Sequence, residues 1–117
     1  MEPLSKIDID KNFGKILRDF RLRKNLTQEE LSEKLGISLK YISRIETGNN
    51  GVKTQTLINY MNILGITPNL LYKKFMTDPN VIENIKITEK ISSLSSEKKH
   101  FIMSIIKLLD NLNKSEH

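Results

Sequence analysis

Thr27 and Ser38 each open a run that reads as a short amphipathic helix, and Gly36 stands between the two runs. Thr27-Gln28-Glu29-Glu30 is a capping box, in which the threonine hydroxyl takes the amide of Glu30 and the Glu30 carboxylate takes the amide of Thr27. Leu26 and Leu31 are spaced to staple across it, and Ile37 and Ile42 repeat that arrangement around Ser38. Gly36 lets the chain leave the first helix through a left-handed turn, which sets the second helix steeply across it. Two short helices joined in this way form a helix-turn-helix.

The same punctuation runs through the rest of the chain. Apolar residues recur at spacings of three and four, and valine, the commonest mark of a strand, occurs only at Val52 and Val81. An all-α fold is therefore expected. A first helix is predicted from about Asn12 to Lys24, with Phe13, Ile16, Leu17 and Phe20 inward and Asn25 as a left-handed stop. Gly48 closes the helix that Ser38 opens, and Asn49 to Lys53 is a polar loop containing the turn dipeptide Asn-Gly. A fourth helix is predicted from about Thr54 to Leu64 and a fifth from Thr67-Pro68 to about Phe75. Asp78-Pro79 starts a sixth, to about Ser93, and Ser95 or Ser96 a seventh, to about Leu112. The organisation expected is a short N-terminal extension (1–11), a five-helix domain (12–76), a C-terminal helical pair (79–113) and a disordered tail (114–117).

Composition narrows the function. Residues 11–53 carry a net charge of +5, whereas residues 1–10 come to −2 and residues 54–117 to +2. The basic surplus thus coincides with the helix-turn-helix, where contact with a polyanion is looked for. Cysteine is absent, which excludes disulfides, thiolate metal sites and cysteine nucleophiles. No metal and no cofactor are expected: His100 has no second ligand at helical spacing, His117 is terminal, and the five glycines fit no nucleotide-binding loop. No arrangement of nucleophile, base and orienting acid can be assembled, so an enzyme is not expected. Apolar runs reach only three residues, far short of the ~18 of a membrane span. Residues 1–10 do not resemble a secretory signal, and a cytoplasmic location is expected.

The segment from Leu26 to Ser38, continued by Tyr41-Ile42-Ser43-Arg44-Ile45-Glu46-Thr47-Gly48, resembles the Cro/C1 (Xre) family of helix-turn-helix transcriptional regulators. The resemblance runs from about Phe13 to Phe75 and implies a five-helix, lambda-repressor-like DNA-binding domain. It implies that Gln28 anchors a phosphate and that Ser38, Leu39, Lys40, Ser43 and Arg44 face the major groove, with the Tyr41 hydroxyl at its edge. Asn49, Asn50 and Lys53 match a second backbone contact, and Arg21 and Glu46 match a buried salt bridge between the first and third helices. The chemistry suits these assignments, since a helix N-terminus attracts anions and an arginine can grip a guanine by two hydrogen bonds. Val52 stands where the family commonly has proline, and Ser32 and Met61 where it commonly has alanine, a residue this chain lacks altogether.

Phe101, Ile102, Ile105, Ile106, Leu108, Leu109 and Leu112 give the last helix an apolar stripe too wide for one small contact. A C-terminal helical pair cannot bury it alone, so these residues are expected to form the interface of a homodimer, which would place two recognition helices on a palindromic operator. The function expected is that of a sequence-specific repressor of double-stranded DNA. Two alternatives share the same residues: an antitoxin that autoregulates its operon, and an interaction module whose C-terminal helices bind a protein antagonist or effector.

Overall fold

The computed structural model describes residues 3–115, with side chains to residue 113. Seven α-helices and no strand occur among them: α1 (Lys6–Arg23), α2 (Gln28–Leu35), α3 (Leu39–Glu46), α4 (Thr54–Leu64), α5 (Pro68–Tyr72), α6 (Pro79–Ser92) and α7 (Ser96–Ser115). The chain divides after Tyr72 into two compact units.

In the first unit the caps act where the sequence places them. The Thr27 hydroxyl accepts the Glu30 amide at 3.0 Å, and the Glu30 carboxylate accepts the Thr27 amide at 3.2 Å. Gly36 is left-handed (φ 67°, ψ 31°) and donates its amide to the Ser32 carbonyl at 2.9 Å, closing α2. The Ser38 hydroxyl then accepts the Tyr41 amide at 3.1 Å and starts α3. Asn25 is the one non-glycine residue with positive φ (55°) among the described residues, and Leu26 behind it donates to the Arg21 carbonyl, so α1 ends in a left-handed stop.

α1 packs on α3 and α4, and α2 on α3 and α4. Leu17, Leu31, Ile42, Ile45, Tyr60 and Leu64 on these helices and Leu71 on α5 are fully buried, the aliphatic ones contributing roughly 1.5–3 kcal/mol of burial each. Phe13 and Phe20, expected inside, are only half-buried; Phe13 meets Tyr72 edge-on with ring centroids 5.6 Å apart.

Two boundaries differ from expectation. α1 begins at Lys6, so most of the supposed N-terminal extension 1–11 is helix. Its start is local: the Ser5 hydroxyl caps the Asp8 amide at 3.2 Å, and Lys6 pairs with Asp10 at 2.8 Å one turn on. The fifth helix is shorter than expected, tightening into a 3₁₀ turn at Lys73–Phe75, so the division falls at Tyr72 rather than after residue 76.

In the second unit Asp78 caps α6 by accepting the Asn80 amide at 2.8 Å, with Pro79 in the first turn. Ile85 alone of its described residues is buried, while Ile82, Ile91, Leu94 and Ile102 are half-covered. α7 is capped by Ser95, which accepts the Lys98 amide at 3.3 Å, and continues past Leu112 to Ser115. Residues 114 and 115, assigned above to a disordered tail, thus belong to its last turn; residues 116 and 117 lie outside the described residues.

Candidate nucleic-acid interface

The site is built on one buried ion pair. Arg21, on α1, donates from Nε to Glu46 Oε2 at 2.7 Å and from Nη2 to Glu46 Oε1 at 2.9 Å, and its Nη1 donates to the Leu26 carbonyl at 2.7 Å. Glu46 is the last residue of α3, where the helix dipole disfavours a negative charge, so the guanidinium compensates both the carboxylate and the helix end. The hydrogen bond to Glu46 raises the Arg21 pKa against the opposing effect of burial, and the arginine stays charged. Gln28 Nε2 also donates to Glu46 Oε1, at 3.1 Å. One carboxylate thereby joins α1, the start of α2 and the end of α3.

That anchorage decides which face of α3 is offered outward. Ile42, Ile45 and Glu46 are buried. The side chains of Lys40 and Arg44, one turn apart, are exposed and have no partner among the described residues, and Leu39 is 46% exposed. Ser43 is half-buried on the same side, and its carbonyl accepts the Thr47 hydroxyl at 2.9 Å. Ser38 is exposed at the helix N-terminus with its hydroxyl engaged in the cap.

The loop that follows is tied back to the same helix. The Asn49 and Asn50 amides both donate to the Arg44 carbonyl, at 2.9 and 3.2 Å, and Asn49 Nδ2 donates to Thr47 Oγ1 at 3.1 Å. The Tyr41 hydroxyl accepts the Lys53 amide at 3.4 Å, at the N-cap of α4, where no side-chain cap exists. The Lys53 ammonium is exposed and unpaired among the described residues.

Gln28, Ser38, Leu39, Lys40, Tyr41, Ser43, Arg44, Asn49, Asn50 and Lys53 therefore lie along α3 and its two flanking junctions, and Arg21 and Glu46 lie beneath them. Two of them are more engaged than their assigned roles require. The Gln28 amide spends one N–H on Glu46 and keeps its second N–H and the backbone amide at the start of α2 for an anion, while the Tyr41 oxygen holds the loop and leaves only its own O–H to donate.

Gly14 escaped sequence reasoning, while Gly48, expected as a helix stop, and Tyr60, expected inward, are more constrained than the sequence indicated. A Cβ on Gly14 would strike the Ile45 carbonyl oxygen and come within 3.0 Å of that of Glu46, so only glycine lets α1 approach the end of α3 this closely. Gly48 (φ 78°) lies against Lys11, whose Cα would be 2.7 Å from an added Cβ. Tyr60 is fully buried and its hydroxyl has no hydrogen-bond partner among the described residues. Burial, and then the charge of Glu46, raise its pKa well above the usual phenol value. A glycine inside a helical pattern was the one signal available for Gly14, because it costs a helix roughly 0.5–1 kcal/mol and so requires a packing reason.

A family model described as helix-turn-helix matches residues 17–71. The chain is 34% identical over 73 residues to the ImmF control region 10 kDa protein of Bacillus phage phi105, covering 62% of this chain and 78% of the phage protein. It is 36% identical over 61 residues to YqaE of Bacillus subtilis (strain 168), an uncharacterized HTH-type transcriptional regulator, covering 52% of this chain and 53% of the relative. Among solved structures, the clp gene regulator ClgR from C. glutamicum matches with 26% identity and a TM-score of 0.49, over 80% of this chain and 97% of that one.

Proposed function

The chain belongs to the Cro/C1 family of helix-turn-helix DNA-binding transcriptional regulators, and from that premise we propose that it is a repressor that occupies a palindromic operator as a homodimer. The observation that carries the reading is the exposed, unpaired Lys40–Arg44 face of α3, held outward by the buried Arg21–Glu46 pair. In this reading Arg44 takes a guanine edge, Lys40 a guanine or a phosphate, and Leu39 a thymine methyl. Ser38 and Ser43 face the groove beside them, Gln28 with the N-terminus of α2 and the Tyr41 hydroxyl hold phosphates, and Asn49, Asn50 and Lys53 make a second backbone contact. Occupancy of an operator is sufficient for repression, and the protein acts in the cytoplasm. No helix among the described residues is long and apolar enough to cross a membrane.

The dimer forms through α7. Phe101, Leu108 and Leu112 are 68%, 63% and 60% exposed, and with Ile105 they follow the four-three spacing of a helix-pairing seam. Selection of bound sites from a random duplex pool tests the reading. An enriched inverted repeat with half-sites about one helical turn apart is expected; enrichment of a single half-site would remove the dimer, and no enrichment would remove sequence-specific binding.

A further inference from the structure

Asn50-Gly51 is the only Asn-Gly pair in the chain, and its surroundings leave it chemically open. Asn50 lies in a bend outside any helix, held by its own backbone amide, and its side-chain amide has no hydrogen bond among the described residues. The Gly51 backbone N–H is likewise unbonded there. Neighbouring Asn49 differs on both counts: its side chain is held by Thr47, and the residue after it carries a side chain.

We propose that Asn50 is a deamidation site whose conversion to a carboxylate weakens DNA binding, so that a standing population of the protein releases DNA as it ages. The second half of this statement rests on the reading of the 49–53 loop as a phosphate contact; the first does not. Ring closure needs a nitrogen free to move and unshielded by a following side chain, and Gly51 offers both. On losing its proton, the Gly51 nitrogen attacks the side-chain carbonyl carbon of Asn50. A C–N bond forms, the bond to the side-chain nitrogen breaks, and ammonia leaves with the proton. Water then opens the five-membered imide at one carbonyl or the other, giving aspartate or isoaspartate. One water is consumed and one ammonia released, and no oxidant or second protein is involved. The product places a negative charge where a phosphate is to be met, and isoaspartate also lengthens the backbone just before Lys53.

The structure supplies a variant that blocks the step. A Cβ on Gly51 would lie 3.2 Å from Asp10 Oδ1, so that carboxylate must yield by a few tenths of an ångström, and the φ of Gly51 is not left-handed; in Gly51→Ala the added methyl hinders attack. Full-length protein and Gly51→Ala would be incubated at mildly alkaline pH for days. Peptide mass mapping would follow residue 50, and binding to random-sequence duplex DNA at low salt would be measured on fresh and aged samples, with thermal melts to verify the fold. Asn50 is expected to convert in the parent, faster at higher pH and well ahead of Asn49, with affinity falling about tenfold, while Gly51→Ala stays intact and keeps its affinity. An Asn50 that survives in the folded protein but converts in a peptide of the same sequence would overturn the proposal. Complete conversion with unchanged DNA affinity would overturn its functional half. Fresh protein that fails to bind duplex DNA would remove the regulator reading instead, while mass mapping would still decide the modification.

Discussion

At the scale of single residues, the Arg21–Glu46 pair and the Tyr60 hydroxyl are opposite cases of polar burial. The pair is bidentate and further satisfied by Leu26 and Gln28, so removing one member strands a charge. Glu46→Ala should lower unfolding stability by about 3–5 kcal/mol in a denaturant titration, and replacing both residues by apolar ones should be milder. Tyr60 has a hydroxyl with no partner among the described residues. Tyr60→Phe keeps the ring and should raise stability by about 1 kcal/mol. Because its folded pKa lies above the ordinary 10.0, the unfolded chain releases this proton first as pH rises. Stability from this source is complete below pH 10.0 and declines above it. Melts across that range should therefore fall more steeply for the parent than for Tyr60→Phe. Arg44→Ala, with no partner to strand, should leave the melt unchanged. On a selected operator it should cost about 1–3 kcal/mol of binding and relax preference at one base pair; an equal loss on random DNA would make Arg44 a phosphate contact.

At the scale of elements, the position of α3 depends on how closely α1 can lie against it. α1 gives up a helix-forming side chain at Gly14 so that the Ile45 and Glu46 carbonyls can sit where a Cβ would be. Alanine is intrinsically the better helix former by roughly 0.5–1 kcal/mol, yet here the methyl meets backbone rather than a movable side chain. Gly14→Ala should therefore lower the melting temperature, by a net of about 1–3 kcal/mol of stability, and weaken operator binding by tilting α3. A variant that melts higher than the parent would show that the two helices have room to separate.

At the scale of the molecule, the described residues form one unit with a buried core and one with very little. Among its described side chains α7 has none buried, and most of the apolar ones are open to solvent. If α7 makes the proposed dimer, Leu108→Glu combined with Phe101→Glu should convert it to a monomer in sedimentation at micromolar concentration. Binding to a palindrome should weaken about a hundredfold, with half-site preference retained, because the second half-site would no longer be engaged at high effective concentration. A double variant that stays dimeric would place the interface elsewhere.

What the sequence determined by itself is the local grammar of the helices. Thr27, Gly36, Ser38 and Asn25 act through bonds to residues a few positions away, so their roles can be read without knowing what surrounds them. The start of α1 was equally local, in Ser5 and Asp8, and Ile9, one turn before Phe13, continues the same apolar stripe, so the signals for a start at Lys6 stood in the sequence and a start near Asn12 was set too late. Tertiary packing alone decided the rest. It drew the Gln28 amide onto Glu46 and the Tyr41 hydroxyl onto Lys53, partners 18 and 12 residues away along the chain. It also set Gly14 against the Ile45 carbonyl and buried the Tyr60 hydroxyl without a hydrogen-bond partner among the described residues. The reason is one of range: a cap is a bond within a turn, whereas the occupancy of a side chain's donors depends on which helices close around it.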